Sequence, residues 1–344
     1  MMTRSIPARV FLTLILMVAA GCSGTPRQPE NVSETFLAMG GIPVEIVANG
    51  ISRQSLNQYV STVKSSVAKW ESELSFFNPS SVVNTIAQSP GQPILLEPHL
   101  FEAFQDAATA FAISDGAFDI TVGPIIHLWK DAGKTGVEPT AEAIADAVSR
   151  TGFNHLRIDP ANRTILLDQP GLAIDFGGIA KGLMAQWIAE RIRDDAARND
   201  TERLKKLLVN PGGDMYCLTP DPDAVCTVGI QNPFGAGVWG EIKVRDRAIV
   251  TSGTYQRFFE IGGKQYCHIV DPRTGRPIDT NLRSVTVLDP SGAMADAIAT
   301  ACFVLGEPAC WEMAAKRPET AILVIRADQT WKASESLEGR VTVF

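Results

Sequence analysis

The sequence predicts an α+β fold of mixed architecture, and three observations carry that expectation. Helical apolar spacing dominates the first half of the chain, from Leu56 to Arg193. Short β-branched and alternating runs crowd the second half, from Cys226 to Leu288. The two kinds of segment do not alternate strictly, which argues against a doubly wound parallel sheet. The chain has 344 residues, 45% apolar and 20% charged, with 28 Gly and 21 Pro. That is an ordinary globular composition, with material for one large domain or two smaller ones. Formal charge is −7, and the densest basic cluster is Arg203 with Lys205-Lys206. Such a cluster reads as a solvated helix end, so nucleic acid is not an expected partner.

Residues 1–21 read as a targeting segment. Arg4 and Arg9 precede the apolar run Val10–Ala20, which has signal-peptide length and is short for a bilayer span. The run ends Ala19-Ala20-Gly21-Cys22, similar to a bacterial lipobox. That likeness implies cleavage before Cys22 and its acylation; an ordinary secretory signal cleaved nearby is the alternative. Residues 22–34 then form a polar tether and residues 35–344 the folded domain, lipid-anchored on the periplasmic side of a bacterial membrane. Of six cysteines, five remain once Cys22 carries lipid, and an odd number leaves at least one free thiol in an oxidising compartment. Cys217 and Cys226 are spaced to bridge a hairpin, a pairing that sequence leaves open. No Cys-x-x-Cys or His-x-x-x-His spacing occurs, which argues against zinc.

Along the chain, Phe36–Val47 alternates as a strand broken by Met39-Gly40-Gly41, where paired glycines make a bulge or admit a ligand. Leu56–Trp70 has helical spacing and continues to Leu74. The loop Ser75–Ser81 stops it, with Phe76-Phe77 either packed or offering a stacking surface, and a short helix Val82–Ala87 follows. Pro98–Ser114 is a helix with Phe101, Phe104, Ala108 and Phe111 on one side. The polar turn Asp115–Pro124 leads into the apolar Ile125–Trp129, where His127 reads as a core residue. Thr140–Ser149 is a helix, and His155–Ile158 with Thr164–Leu167 form a hairpin around Asp159-Pro160-Ala161-Asn162.

Gly171–Phe176 reads as a strand running into Gly177-Gly178-Ile179-Ala180-Lys181-Gly182, with a helix from about Leu183 to Arg193. Strand, glycine turn, lysine and helix can bind phosphate through free N–H groups at the helix start. The pattern is neither a Walker A loop nor a Gly-x-Gly-x-x-Gly fingerprint. A second glycine turn, Asn210–Asp214, follows Leu207–Val209. Strands then dominate: Cys226–Ile230, Trp239–Val244, Ala248–Val250, Phe258–Ile261, Gln265–Val270 and Ser284–Leu288. Helices at Ala293–Leu305 and Glu307–Lys316 and a strand at Ala321–Ile325 close the chain.

The densest chemistry lies between Thr251 and Thr300. Thr251-Ser252-Gly253-Thr254-Tyr255 and Cys267–Pro277 are polar turns that suit a phosphate-bearing ligand. Asp296 and Thr300 are four apart on a helix, hence on one face, and are hard oxygen donors of the kind Mg²⁺ prefers. An Asp in the first helical turn also serves as a cap, so the pair alone decides nothing.

Taken in order, these turns resemble the ApbE family of FAD:protein FMN transferases. The matching pieces are Met39-Gly40, Phe118–Pro124, Asp175–Gly182, Asn210–Asp214, Thr251–Tyr255, His268–Pro277, Ser284–Val287 and Ala295–Thr300. The resemblance implies a T-fold-related architecture with FAD in a cleft between two subdomains. It implies FAD contacts at Met39, Phe77, Ala117, Phe118, Asp119, Asp175, Lys181 and Val270. It places Mg²⁺ on Asp296, Thr300 and a backbone carbonyl, taken as Gly178. His268 matches a proposed base for an acceptor hydroxyl, and histidine has the right intrinsic pKa for that work. Asp271 either orients His268 or substitutes for it. The implied reaction moves FMN from FAD to a Thr or Ser of an acceptor flavoprotein and releases AMP. Hydrolysis of FAD to FMN and AMP, and flavin binding without catalysis, are the competing readings. By family analogy the anchor sits in the inner membrane. The sequence departs from the family pattern at Gly41, where Thr is frequent, at Phe77, where Tyr is common, and at Val82, where an acid is usual.

Overall fold

The computed structural model describes residues 31–255 and 258–344. The signal segment, Cys22 and most of the tether lie outside them. Eight strands form one sheet: β1 (Val32–Ala38), β2 (Ile42–Asn49), β3 (Lys206–Pro211), β4 (Met215–Leu218), β5 (Arg247–Gly253), β6 (Leu282–Asp289), β7 (Ala321–Arg326) and β8 (Trp331–Ala333). β1 starts within the predicted tether. Spatial order equals chain order, and every neighbouring pair is antiparallel. Antiparallel neighbours need only short links, so each long connection is an insertion hung on this meander.

Side-chain alternation gives β4–β7 two buried faces, whereas alternate residues of β1 and β2 stay exposed. On β7, Ile322 and Val324 enter one core while Leu323 and Ile325 enter another. Burial on both faces is the reason this strand is a continuous apolar run. Helices cover the first face. Between β2 and β3 come α1 (Arg53–Leu74), α2 (Val82–Gln88), α3 (Pro98–Ile113), α4 (Gly123–Thr135), α5 (Ala141–Ser149) and α6 (Ala180–Ala196); between β6 and β7 come α7 (Gly292–Leu305) and α8 (Glu307–Ala315). The Ser52 side chain caps α1 by accepting from Ser55 N–H at 3.2 Å, and Leu56, Val60, Val63, Val67 and Trp70 form its buried stripe. α7 is buried almost all round, because it packs on β5, β6, α3, α6 and α8.

A three-stranded sheet of Cys226–Gln231, Val238–Val244 and Val341–Val343 covers the second face. Cys217 and Cys226 are bonded, but the link joins the two sheets instead of closing a hairpin. Cys302–Cys310 is a second disulfide, between α7 and α8, and Cys267 is the free thiol among the described residues. A separate small core of Ile125, Trp129, Ile144, Ile261 and Val270 joins α4, α5 and the hairpin Phe258–Ile261/Lys264–Cys267. Trp129 Nε1 donates to the Gly275 carbonyl at 2.8 Å and fixes the Asp271–Arg276 turn to α4.

Three local expectations change. Gly171–Phe176 forms no ladder; its one bridge is Ala173 to Val122, and Asp175 N–H donates to the Ile120 carbonyl at 2.7 Å. Its neighbour is a loop, so pairing does not propagate. α6 begins at Ala180, ahead of the predicted Leu183. His127 is exposed on α4 instead of buried, with its ring centroid 4.1 Å from that of Phe76.

Candidate active site

A cleft of about 900 Å³ opens between the small α4–α5 core and the end of the large sheet. It is of the size that takes a small ligand or cofactor. One wall comes from α4, the hairpin strand Phe258–Ile261 and the segment His268–Pro272; the other comes from β5, the start of α6 and α7.

Of the sequence-predicted residues, Phe77, Ala117, Phe118, Asp119, Asp175, Gly178, Lys181, His268, Val270, Asp296 and Thr300 all line this cleft. Residues from five separate stretches of sequence therefore meet in one place. Phe77 is 72% exposed at the lip, with Lys130 Nζ 4.4 Å from its ring centroid. Phe118 and Ala117 are buried in the wall. Asp175 accepts from Gly177 N–H at 2.7 Å and so shapes the glycine turn ahead of α6.

Two predicted residues lie elsewhere. Met39 is not part of the cleft wall. Met39 N–H and Gly40 N–H donate to the Glu71 carboxylate at 2.8 and 2.7 Å, which pins the β1–β2 turn onto α1. Ile42, just beyond, takes the place on the wall. Gly41 has φ +102°, a conformation closed to threonine without strain, so the departure at this position follows from the turn itself. Asp271 is also off the wall. Its carboxylate accepts from Arg273 N–H and from Arg273 Nε and Nη2, all at 2.9 Å, which commits it to the turn.

Asp119 reaches the wall, but its carboxylate is spent inside the protein. Oδ1 accepts from Thr121 N–H and Oγ1 at 2.7 Å, and Oδ2 accepts from Phe153 N–H at 3.0 Å. Burial raises its pKa above the ordinary carboxylate range, opposed by those hydrogen bonds.

Asp296 is placed by a close helix crossing. Gly182 of α6 and Gly292 of α7 touch backbone to backbone; a Cβ on Gly182 would sit 2.0 Å from the Gly292 carbonyl oxygen. That approach lets Asp296 Oδ2 accept from Gly182 N–H at 3.1 Å, so a residue of one helix caps the other. Asp296 is 2% exposed, and its Oδ1 lies 3.9 Å from Lys181 Nζ. Gly178 is adjacent: a Cβ there would sit 3.5 Å from Thr300 Oγ1 and 3.1 Å from the Phe118 ring. A buried carboxylate oxygen, a hydroxyl and a glycine turn thus converge, and this oxygen set suits a hard divalent cation. Among the described residues no group of three or more His, Cys, Asp or Glu side chains gathers to hold a metal.

Sequence reasoning gave no role to Asp214, which is 3% exposed on the cleft wall and ion-paired with Lys181. Its place in the Asn210–Asp214 turn was the available signal. Lys130, Ile126, Phe258 and Phe259 also line the cleft and carry no motif.

A family model described as the ApbE family matches residues 41–324. The chain belongs to the ApbE family. Among curated proteins, it is 34% identical over 274 residues to an FAD:protein FMN transferase of Treponema pallidum, covering 75% of this chain and 74% of that one. It is 32% identical over 264 residues to one of Klebsiella pneumoniae, covering 76% and 80%. Among solved structures, the ApbE protein of Thermotoga maritima superposes with a TM-score of 0.77 at 26% identity, covering 90% of this chain and 99% of that one. The flavin transferase ApbE of Vibrio cholerae gives 0.76 at 26% identity, covering 91% and 99%. The α+β architecture and ApbE membership inferred from the ordered turns therefore hold.

Proposed function

We propose that this chain is an FAD:protein FMN transferase that moves FMN from FAD to a Thr or Ser hydroxyl of an acceptor flavoprotein, with AMP as the other product. The observation that carries the reading is the cleft that gathers His268, Lys181 and the Asp296–Thr300–Gly178 oxygen set against an apolar wall of Phe118 and Val270. The names borne by its relatives agree with it. His268 accepts the proton of the acceptor hydroxyl as that oxygen attacks the phosphorus on the FMN side. The bond from that phosphorus to the oxygen of AMP breaks, and AMP leaves with the electron pair. Lys181 offsets phosphate charge, and the wall formed by Phe118 and Val270 keeps bulk water from the reacting centre. Asp296, Thr300 and the Gly178 carbonyl would hold Mg²⁺, which would supply charge neutralisation on the diphosphate.

The proposed setting is the periplasmic face of a bacterial membrane, most simply the inner one, with Cys22 acylated. Two disulfides among the described residues support an oxidising compartment. Among the described residues no helix is long and apolar enough to cross a membrane.

The test incubates the detergent-solubilised full-length chain with FAD, Mg²⁺ and an acceptor domain carrying its target threonine, and reads the acceptor by intact mass. Gain of one FMN, lost without Mg²⁺ and in Asp296→Ala and His268→Ala, is the expected result. Free FMN and AMP with an unmodified acceptor would replace transfer by hydrolysis, and unchanged FAD would leave a flavin-binding protein.

A further inference from the structure

Lys181 faces two carboxylates. Its ammonium is in contact with Asp214 Oδ2 and stands 3.9 Å from Asp296 Oδ1. Asp214 is buried, and its other oxygen accepts from Thr251 N–H at 3.4 Å. The turn that carries it is fixed by Gly213 N–H donating to Asn210 Oδ1 at 2.8 Å. Asp296 commits Oδ2 to Gly182 N–H, so Oδ1 is the oxygen left for a cation. Two cations can claim that oxygen: the Lys181 ammonium and a divalent metal ion.

We propose that Asp214 is a positioning residue that holds the Lys181 ammonium off Asp296. Asp296 Oδ1 then stays open for the divalent ion, and Lys181 remains beside it as a second positive charge for the diphosphate. This rests on the reading of Asp296, Thr300 and Gly178 as the cation site. The physical reason is that a largely buried ammonium does not stay unpaired. Once Asp214 is neutral, Asp296 is the carboxylate next to Lys181, and a shift of about 1 Å brings the pair to ordinary charge-assisted hydrogen-bond distance. An incoming metal ion must then break that pair. Asp214 therefore governs metal affinity without being a ligand.

The experiment measures Mg²⁺ binding to the full-length chain by calorimetry, without FAD, for the parent, Asp214→Asn, Lys181→Met, the double variant and Asp296→Ala. Each is checked for folding by circular dichroism, with Asp214→Ser as a second neutral variant. Asp214→Asn is expected to raise the Mg²⁺ dissociation constant by about tenfold or more, since it frees a full charge next to the ligand oxygen. Lys181→Met alone shifts it by less than about threefold, and the double variant returns to within about threefold of the parent, the non-additivity expected of coupled neighbours. Equal tightening by Lys181→Met in both backgrounds, the mark of simple charge addition, overturns the proposal. So does unchanged affinity in Asp214→Asn and Asp214→Ser. If Asp296→Ala binds Mg²⁺ like the parent, the cation-site reading itself fails; if only Asp296→Ala loses binding, the site stands and the role of Asp214 falls.

Discussion

Gly182→Ala tests the geometry that places Asp296. The new methyl carbon would lie 2.0 Å from the Gly292 oxygen, 2.7 Å from its carbonyl carbon and 3.0 Å from Asp296 Cβ. The obstacle is backbone on a helix buried almost all round, so no side chain can rotate away. α6 and α7 must separate by about 1 Å before the contact becomes tolerable, and overpacking of this kind costs about 1–3 kcal/mol. The same shift stretches the 3.1 Å bond from Gly182 N–H to Asp296 Oδ2 beyond hydrogen-bond range. Losing a buried bond to a charged acceptor adds about 1.5–3 kcal/mol, for a total of about 2.5–6 kcal/mol. Asp296 and Thr300 move with α7, whereas Gly178 and Lys181 move with α6. A misplacement of about 1 Å between them predicts a fall in turnover of about 10²-fold. The assay is urea unfolding beside the rate of FMN transfer, with Gly235→Ala as control, since a Cβ there meets nothing within 4 Å. A Gly182→Ala protein with parental urea midpoint and turnover would refute the crossing argument.

Other predictions concern buried acids and thiols. Asp106 on α3 has its pKa raised to about 6, chiefly by burial and then by Glu102. The native state therefore holds this proton where the unfolded chain has lost it, and stability falls as pH rises from about 4 to about 6. Asp106→Asn should accordingly stabilise the protein at pH 7 by about 2–3 kcal/mol and give no gain at pH 3.5, measured by urea unfolding at each pH. Asp119→Ala strands the N–H groups of Thr121 and Phe153. It should lower unfolding free energy by about 2–4 kcal/mol, and a change below 0.5 kcal/mol would contradict the network. Thiol titration in denaturant without reductant should count one thiol, Cys267, if Cys22 is acylated. A count of two would mean a free Cys22.

Much of the site was legible because its chemistry is local. Asp296 and Thr300 share a helical face whatever the helix packs on, and the glycine turns announce themselves by composition. Helices α1 and α3 follow from apolar spacing, and α7 from an Ala-rich run, within a few residues of where they form. The ordered motifs also carried the family.

What tertiary structure alone decided is which local groups meet and which are already spent. The resemblance implies an FAD contact at Asp119, which lines the cleft, and only the structure shows that its carboxylate oxygens accept from Thr121 and Phe153. Asp271 precedes Arg273 by two residues, and only the turn shows that they close on each other. Met39 sits in a family motif but is held by Glu71, a residue distant in the chain. Gly171–Phe176 has a strand's residues and lacks a neighbour to pair with. Gly182 and Gly292 are unremarkable alone; their contact exists because two helices cross at that point. Periodicity and turn chemistry act over a few residues, so the sequence displays them directly. A hydrogen-bond partner or a close approach depends on chain segments a hundred residues apart, and only packing brings those together.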